Sequence, residues 1–233
     1  HLGLTLARRL GIPAAASRVE TFDGEIAIVV ERYDRLRLGA RIARVHQEDF
    51  CQALARLPSE KYQNEDGPGV PDCVAVLADQ SSAPGEDINT FLDAILFNWI
   101  VVGTDAHAKN YSLLLSSEGR VRLAPLYDIA SALPYRDLDY QKLKLAMKLG
   151  GEYRLRDIGA RHIARMATEV RQNPGRWIER ARDLANRTPD EVMAIAGEMQ
   201  AEGLKHEIVG RLAELIAERA RALEALLTAW KPD

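Results

Sequence analysis

Residues 87–102 constrain the fold more than any other part of the chain. The apolar side chains Ile88, Phe91, Leu92, Ile95, Leu96, Trp99 and Ile100 fall on every side of a helix. A helix that is apolar all round belongs at the centre of a body, not on its surface. Trp99 therefore reads as core rather than as a platform for a ligand. The run stops at Gly103, and a dense polar cluster follows: Thr104, Asp105, His107, Lys109 and Asn110. Two short β-like segments, 111–115 and 121–124, come next, separated by Ser-Ser-Glu-Gly, and Asp128 lies just past the second. A helix, a polar loop, a hairpin and an acid in that order can gather two carboxylates and an amide beside one pocket.

Phosphoryl transfer from ATP has that requirement. A carboxylate orients a hydroxyl nucleophile, and oxygen ligands hold Mg²⁺ on the phosphates. Mg²⁺ is a hard cation, so one Asp and one Asn suffice beside the nucleotide. In protein kinases the catalytic-loop Asp precedes a metal-binding Asn by five residues, and a second metal-binding Asp follows. Here Asp105 and Asn110 have that spacing, and Asp128 follows the hairpin. Each residue also has a plainer reading. Asp105 could cap a loop, Asn110 could end a turn, and Asp128 could cap a helix. No second His or Cys stands at ligand spacing from His107, so a zinc site is not indicated and a structural His that fixes the loop is preferred. Lys109 could steady the transferring phosphate or be an exposed cation.

TDAHAKNYS (104–112) followed by LAPLYDI (123–129) resembles the catalytic and metal-binding motifs of HipA-like serine/threonine kinases, the toxins of bacterial toxin–antitoxin pairs. VERYDR (30–35), HQEDFCQALA (46–55) and LKLAMKLGG (143–151) agree with it, densely to Gly151 and weakly beyond. The resemblance implies Asp105 as catalytic base, with His107 and Lys109 beside it, and Asn110 and Asp128 as Mg²⁺ ligands. It implies a hinge at Glu31 to Tyr33 that contacts adenine through its backbone, with Asp34 near the ribose. It further implies a protein substrate, an aminoacyl-tRNA synthetase being one acceptor, and a small DNA-binding HipB-like antitoxin as partner. Tyr127-Asp128-Ile129 replaces Asp-Phe-Gly, which argues against the flipping loop of regulated kinases.

Members of that family carry a small lobe with a phosphate-binding loop and an ATP-contacting Lys. No Lys precedes Lys61 here, and no Gly-rich loop precedes the hinge. The chain opens at His1 without an initiator Met, so it is read as part of a longer protein and expected to be inactive alone. The expected fold is α+β and mostly α: a protein-kinase-like helical C-lobe (36–233) forming one unit with a remnant of the small lobe and hinge (1–35). Two rival functions are a small-molecule phosphotransferase, which can use a similar Asp, Asn and Asp set, and a non-catalytic kinase-like binding module.

The remaining chain fills in this picture. Residues 2–10 have helical spacing and stop at Gly11. Segments 17–22 and 25–31 read as strands about Asp23-Gly24, a two-residue hairpin signal. The continuously apolar 26–30 run suggests burial on both faces. Residues 46–56 and 71–78 read as helices, 58–71 as a loop and 80–86 as a linker. Gly67 and Gly69, with Pro68 between them, read as turn residues rather than a phosphate cradle. The stretch 133–151, with Lys142, Lys144 and Lys148, is either a substrate-docking segment or a solvated amphipathic one. Four helices follow, at 158–171, 176–186, 189–199 and 204–230, the third started by Thr188-Pro189. A net charge of −3 with spread arginines gives no nucleic-acid footprint, and no apolar run approaches the roughly 20 residues of a membrane span. Cys51 and Cys73 read as free buried thiols of a cytoplasmic protein.

Overall fold

A computed structural model of the chain describes residues 1–231. The architecture is α+β and mostly helical, with four small antiparallel sheets at its front and edges. The central element is α4 (Pro84–Val101), in which Phe91, Leu92, Leu96, Phe97, Trp99 and Ile100 are wholly buried. It begins earlier than the sequence suggested, because Pro84 takes the first helical position and draws part of the expected linker into the first turn. Asp87 in that turn is buried. Its carboxylate accepts Ser81 Oγ at 2.6 Å, the Leu123 amide at 2.9 Å and the Arg122 guanidinium, which ties the start of α4 to the sheet below.

Against α4 pack α3 (Val70–Gln80) and the antiparallel pair α6 (Pro174–Ala201) and α7 (Glu207–Ala229), while α1 (Leu2–Arg9) and α5 (Ala160–Glu169) pack on α6. The far end of α4 is held by α7: Arg219 donates to the carbonyls of Trp99 (3.0 Å) and Ile100 (3.2 Å). Those carbonyls lie in the last turn, where no intrahelical N–H reaches them. Two helices expected at 176–186 and 189–199 are instead the single α6, with Pro189 inside it. Pro189 offers no N–H to the carbonyl four residues back. Burial of Trp177, Leu184, Thr188, Val192 and Ile195 on either side of it keeps the helix continuous.

At the front, β1 (Ser17–Phe22) and β2 (Glu25–Val30) form the expected hairpin, with Phe22 opposite Glu25 and Asp23 and Gly24 both at positive φ. The expected two-sided burial of β2 is wrong. Ile26, Ile28 and Val30 are 59%, 51% and 39% exposed. A two-stranded ribbon has one covered face, and these alternate side chains stand on the other. A second ribbon, β3 (Arg35–Leu38) and β4 (Arg41–Arg44), was not anticipated, although the alternation Arg-Leu-Arg-Leu before Gly39 was available to suggest it.

Residues 46–56, expected as a helix, are divided between a strand, β5 (His46–Asp49), and one turn, α2 (Phe50–Ala53). β5 pairs with β6 (Ser112–Leu115), which pairs with β7 (Val121–Leu123). Asp49 ends the strand and caps α2, its Oδ1 accepting the Gln52 amide at 2.9 Å. Sheet pairing outcompetes the helical spacing because the edge of β6 is available. The last ribbon, β8 (Lys144–Leu149) with β9 (Glu152–Arg154), turns Leu145, Met147 and Leu149 inward and leaves Lys144 and Lys148 exposed. Both cysteines are free and buried. Among the described residues no helix is long and apolar enough to cross a membrane.

Candidate active site

The polar cluster lies between the end of α4 and the start of β6. The helix is closed by Val102 in the left-handed region and by the Gly103 amide, which donates to the Asn98 carbonyl at 2.7 Å. A Cβ on Gly103 would lie 2.1 Å from Asn98 Oδ1. Asn98 cannot yield easily, since its Nδ2 donates to the Ala94 carbonyl and to Tyr111 Oη. Only glycine lets the chain turn this closely into the loop.

Within the loop, the His107 amide donates to the Asp105 carbonyl at 2.8 Å and the Asn110 amide to the His107 carbonyl at 2.9 Å, leading into a 3-10 turn over Ala108–Asn110. Asn110 is buried. Its Nδ2 donates to the Asp105 carbonyl at 3.2 Å and to Asp128 Oδ2 at 3.3 Å. The Asn110 carboxamide thus joins the backbone of Asp105 to the carboxylate of Asp128. Both carboxylates are exposed. Asp128 is aimed by its backbone: φ is +52, a left-handed conformation that Asp tolerates better than most residues. Just before it, the Leu126 amide donates to the Pro13 carbonyl and the Leu126 carbonyl accepts from Ala15.

His107 is buried, and among the described residues its Nδ1 has no partner. Burial, and then the charge of Lys61, hold its pKa below the usual imidazole value, so it is neutral at pH 7. Its ring stands edge-on to Tyr62, centroids 5.1 Å apart; the hydrogen bonds by which it was expected to fix the loop are not made among the described residues, and it packs there instead. Lys109 is not a free cation: Nζ lies 2.8 Å from Asp49 Oδ2.

The segment 31–34 runs beside this loop. The Tyr33 ring stands 6.1 Å from that of Tyr127. Tyr127 in turn donates to the Lys109 carbonyl at 2.6 Å and lies 2.5 Å from Ser112 Oγ. Glu31 is exposed, and its amide donates to the Ala16 carbonyl. Asp34 is buried, and both its oxygens are bound, by Arg32 at 2.8 and 2.7 Å and by Arg35. Those guanidinium bonds pull its pKa down to about 2. Asp34 therefore stiffens the segment from within, while its carbonyl accepts the Val45 amide at 2.9 Å.

Sequence reasoning missed Tyr62 and Asp49. Asp49 carried a signal, since Asp-x-x-Gln is a capping-box pattern. Tyr62 carried none; it arrives from the 58–71 loop, and Tyr62 Oη donates to Asp105 Oδ1 at 2.6 Å.

The donor set fits a hard divalent cation. Asp128 presents a carboxylate, and Asn110 presents a carboxamide oxygen once its amide is turned, since the nitrogen now faces Asp128. Among the described residues no three His, Cys, Asp or Glu side chains converge. An ion held here would draw its remaining ligands from nucleotide and water.

The family described as the HipA-like C-terminal domain matches residues 1–202. A Sinorhizobium fredii protein named "Putative kinase Y4mE" is 34% identical over 94% of this chain and 51% of its own length. The serine/threonine-protein kinase toxin HipA of Shewanella oneidensis is 32% identical over 69% of this chain and 39% of its own length. The chain thus spans about half or less of these relatives. Among solved structures, Shewanella oneidensis HipA, in a complex with HipB and operator DNA, superposes with a TM-score of 0.87 at 24% identity, over 97% of this chain and 55% of that one. The Helicobacter pylori proinflammatory kinase CtkA superposes at 0.59 with 12% identity, over 97% and 83%. At these identities the two superpositions establish the fold.

Proposed function

The chain belongs to the HipA-like C-terminal domain family, and from that premise we propose that it supplies the catalytic face of an ATP- and Mg²⁺-dependent kinase that phosphorylates a Ser or Thr hydroxyl of a protein. The observation that carries this reading is the buried Asn110 amide, which bonds the backbone carbonyl of Asp105 and the carboxylate of Asp128, in a chain whose relatives are named as kinases.

Asp105 is the base. It takes the proton as the acceptor oxygen bonds to the γ-phosphorus and the bond from phosphorus to the bridging oxygen breaks, releasing ADP. Asn110 and Asp128 would hold the Mg²⁺, whose charge when bound would offset that of the phosphates. The backbone of Glu31 and Tyr33 faces adenine. Asp34, at the end of that segment near the ribose, sets the segment's own shape through its neighbours Arg32 and Arg35. His107, neutral and buried, shapes the loop. Lys109, steered by Asp49, adds positive charge beside the transferring phosphoryl group.

The acceptor is a protein, an aminoacyl-tRNA synthetase being the class that the family resemblance suggests. A HipB-like antitoxin is the partner, by analogy with the complex of the Shewanella structure. A cytoplasmic location follows from that reading. The test is transfer from labelled ATP by the full-length protein, offered proteins, peptides and a panel of small acceptors. Transfer to protein hydroxyls, lost in Asp105→Asn while ATP still binds, is the expected result. Near-normal transfer by Asp105→Asn, or transfer to small acceptors alone, overturns it.

A further inference from the structure

Among the described residues, the Asp105 carboxylate receives a side-chain hydrogen bond from Tyr62 and from no other residue. The hydroxyl is a dependable donor. Its bond to Asp105, and then burial, push its pKa up to about 12, so it keeps its proton at any physiological pH. The carboxylate itself is exposed and sits on a loop. Without a partner it would sample several rotamers, and a base must be within hydrogen-bond reach of the proton it removes.

The loop that brings Tyr62 is fastened on all sides. The Lys61 carbonyl accepts the Ala108 amide of the catalytic loop. The Tyr62 carbonyl accepts the amides of Glu65 and Gly67, both at 2.9 Å. A Cβ on Gly67 would lie 2.4 Å from the Glu60 carbonyl oxygen and 2.6 Å from that of Tyr62, so the turn requires glycine. Gln63 Oε1 accepts the Lys148 amide at 2.6 Å, which joins the loop to β8. The Tyr62 ring is wedged between Lys61 Nζ, 4.8 Å above it, and the edge of His107. A surface turn needs none of these ties to direct one hydroxyl.

The geometry points to Tyr62 as a positioning residue for the phosphoryl transfer: its hydroxyl fixes Asp105 Oδ1, leaving Oδ2 to take the acceptor proton. This rests on Asp105 being the base. It also gives a role to the buried His107, whose ring backs Tyr62, and to β8, which sets the loop through Gln63. A hydroxyl on a braced ring restricts the carboxylate without placing a positive charge beside it, which would make it a weaker base.

The test uses the full-length protein with labelled ATP, comparing wild type, Tyr62→Phe and Asp105→Asn. Tyr62→Phe keeps the ring, its packing on His107 and the Lys61 contact, and removes the hydroxyl alone. The expected result is a fall in kcat of roughly tenfold or more, on the scale of a lost orienting contact, with the KM for ATP within about twofold of wild type and nucleotide binding intact. A kcat within twofold of wild type overturns the inference. So does a rise in KM for ATP that accounts for the whole loss, or a failure to bind nucleotide, since either marks a merely structural role. Gln63→Leu, which frees the loop from β8 and leaves Tyr62 in place, should lower kcat in the same direction by a smaller factor; no change there, with a full effect in Tyr62→Phe, still supports the role of the hydroxyl. Substantial turnover by Asp105→Asn refutes the base assignment itself and is read separately.

Discussion

Lys109 Nζ and Asp49 Oδ2 lie 2.8 Å apart, joining the polar 104–110 loop to the end of β5. The same carboxylate caps α2 through its other oxygen. Asp49→Asn should retain the cap and lose the ion pair, while Asp49→Ala loses both. Denaturant melts should place the Ala variant about 1 kcal/mol below the Asn variant, the usual weight of an N-cap. In the full-length protein, Lys109→Ala should lower kcat by roughly a hundredfold if its charge acts on the transferring phosphate. Asp49→Asn should lower it far less, because the charge remains. Equal activity of Lys109→Ala and wild type removes Lys109 from the chemistry.

Gly103→Ala is expected to cost about 1–3 kcal/mol, as overpacking in a filled interior does. The added methyl meets Asn98 Oδ1, which is locked to Ala94 and Tyr111. The shift would pass to Asp105 two residues on, so activity should fall more than the loss of folded protein explains. A thermal melt alongside a turnover measurement at a temperature where both variants are folded separates the two effects. An Ala variant as stable and active as wild type would show that Asn98 moves freely.

The Asp34 carboxyl is held near pKa 2 in the folded chain by Arg32 and Arg35, against about 3.9 when unfolded. The folded-state value is the lower one. Asp34 therefore contributes stability that is complete above about pH 4 and is lost as the pH falls towards 2. Asp34→Asn should flatten the acid side of the stability curve over that interval and lower stability at neutral pH. Acid titrations of both proteins, followed by circular dichroism, give the comparison; superimposable acid limbs would remove this role.

The parts of the fold set by local chemistry were legible in the sequence. The Asp23-Gly24 turn, the all-round apolar α4 and the stop at Gly103 each follow from a few adjacent residues. Elements decided by distant partners were not. Residues 46–49 have helical spacing, yet the edge of β6 makes them a strand. Pro189 signals a helix start, yet buried neighbours on both sides carry α6 through it. The apolar run 26–30 implied two covered faces, but the hairpin has one. In the candidate site, Asp105, Asn110 and Asp128 could be singled out together because they are ordered along one stretch of chain. Tyr62 was not, because a residue 43 positions upstream joins it only when the 58–71 loop folds over.

The outward faces of the two front ribbons have a practical consequence. Phe22, Ile26, Ile28, Val30, Leu36, Leu38 and Ile42 all stand in water, on strands whose backbone edges are short and open. Such surfaces favour self-association at the concentrations used for purification. Replacing two or three of these side chains with Thr or Lys is the most direct way to obtain a monodisperse sample of the chain, and it leaves the catalytic loop untouched.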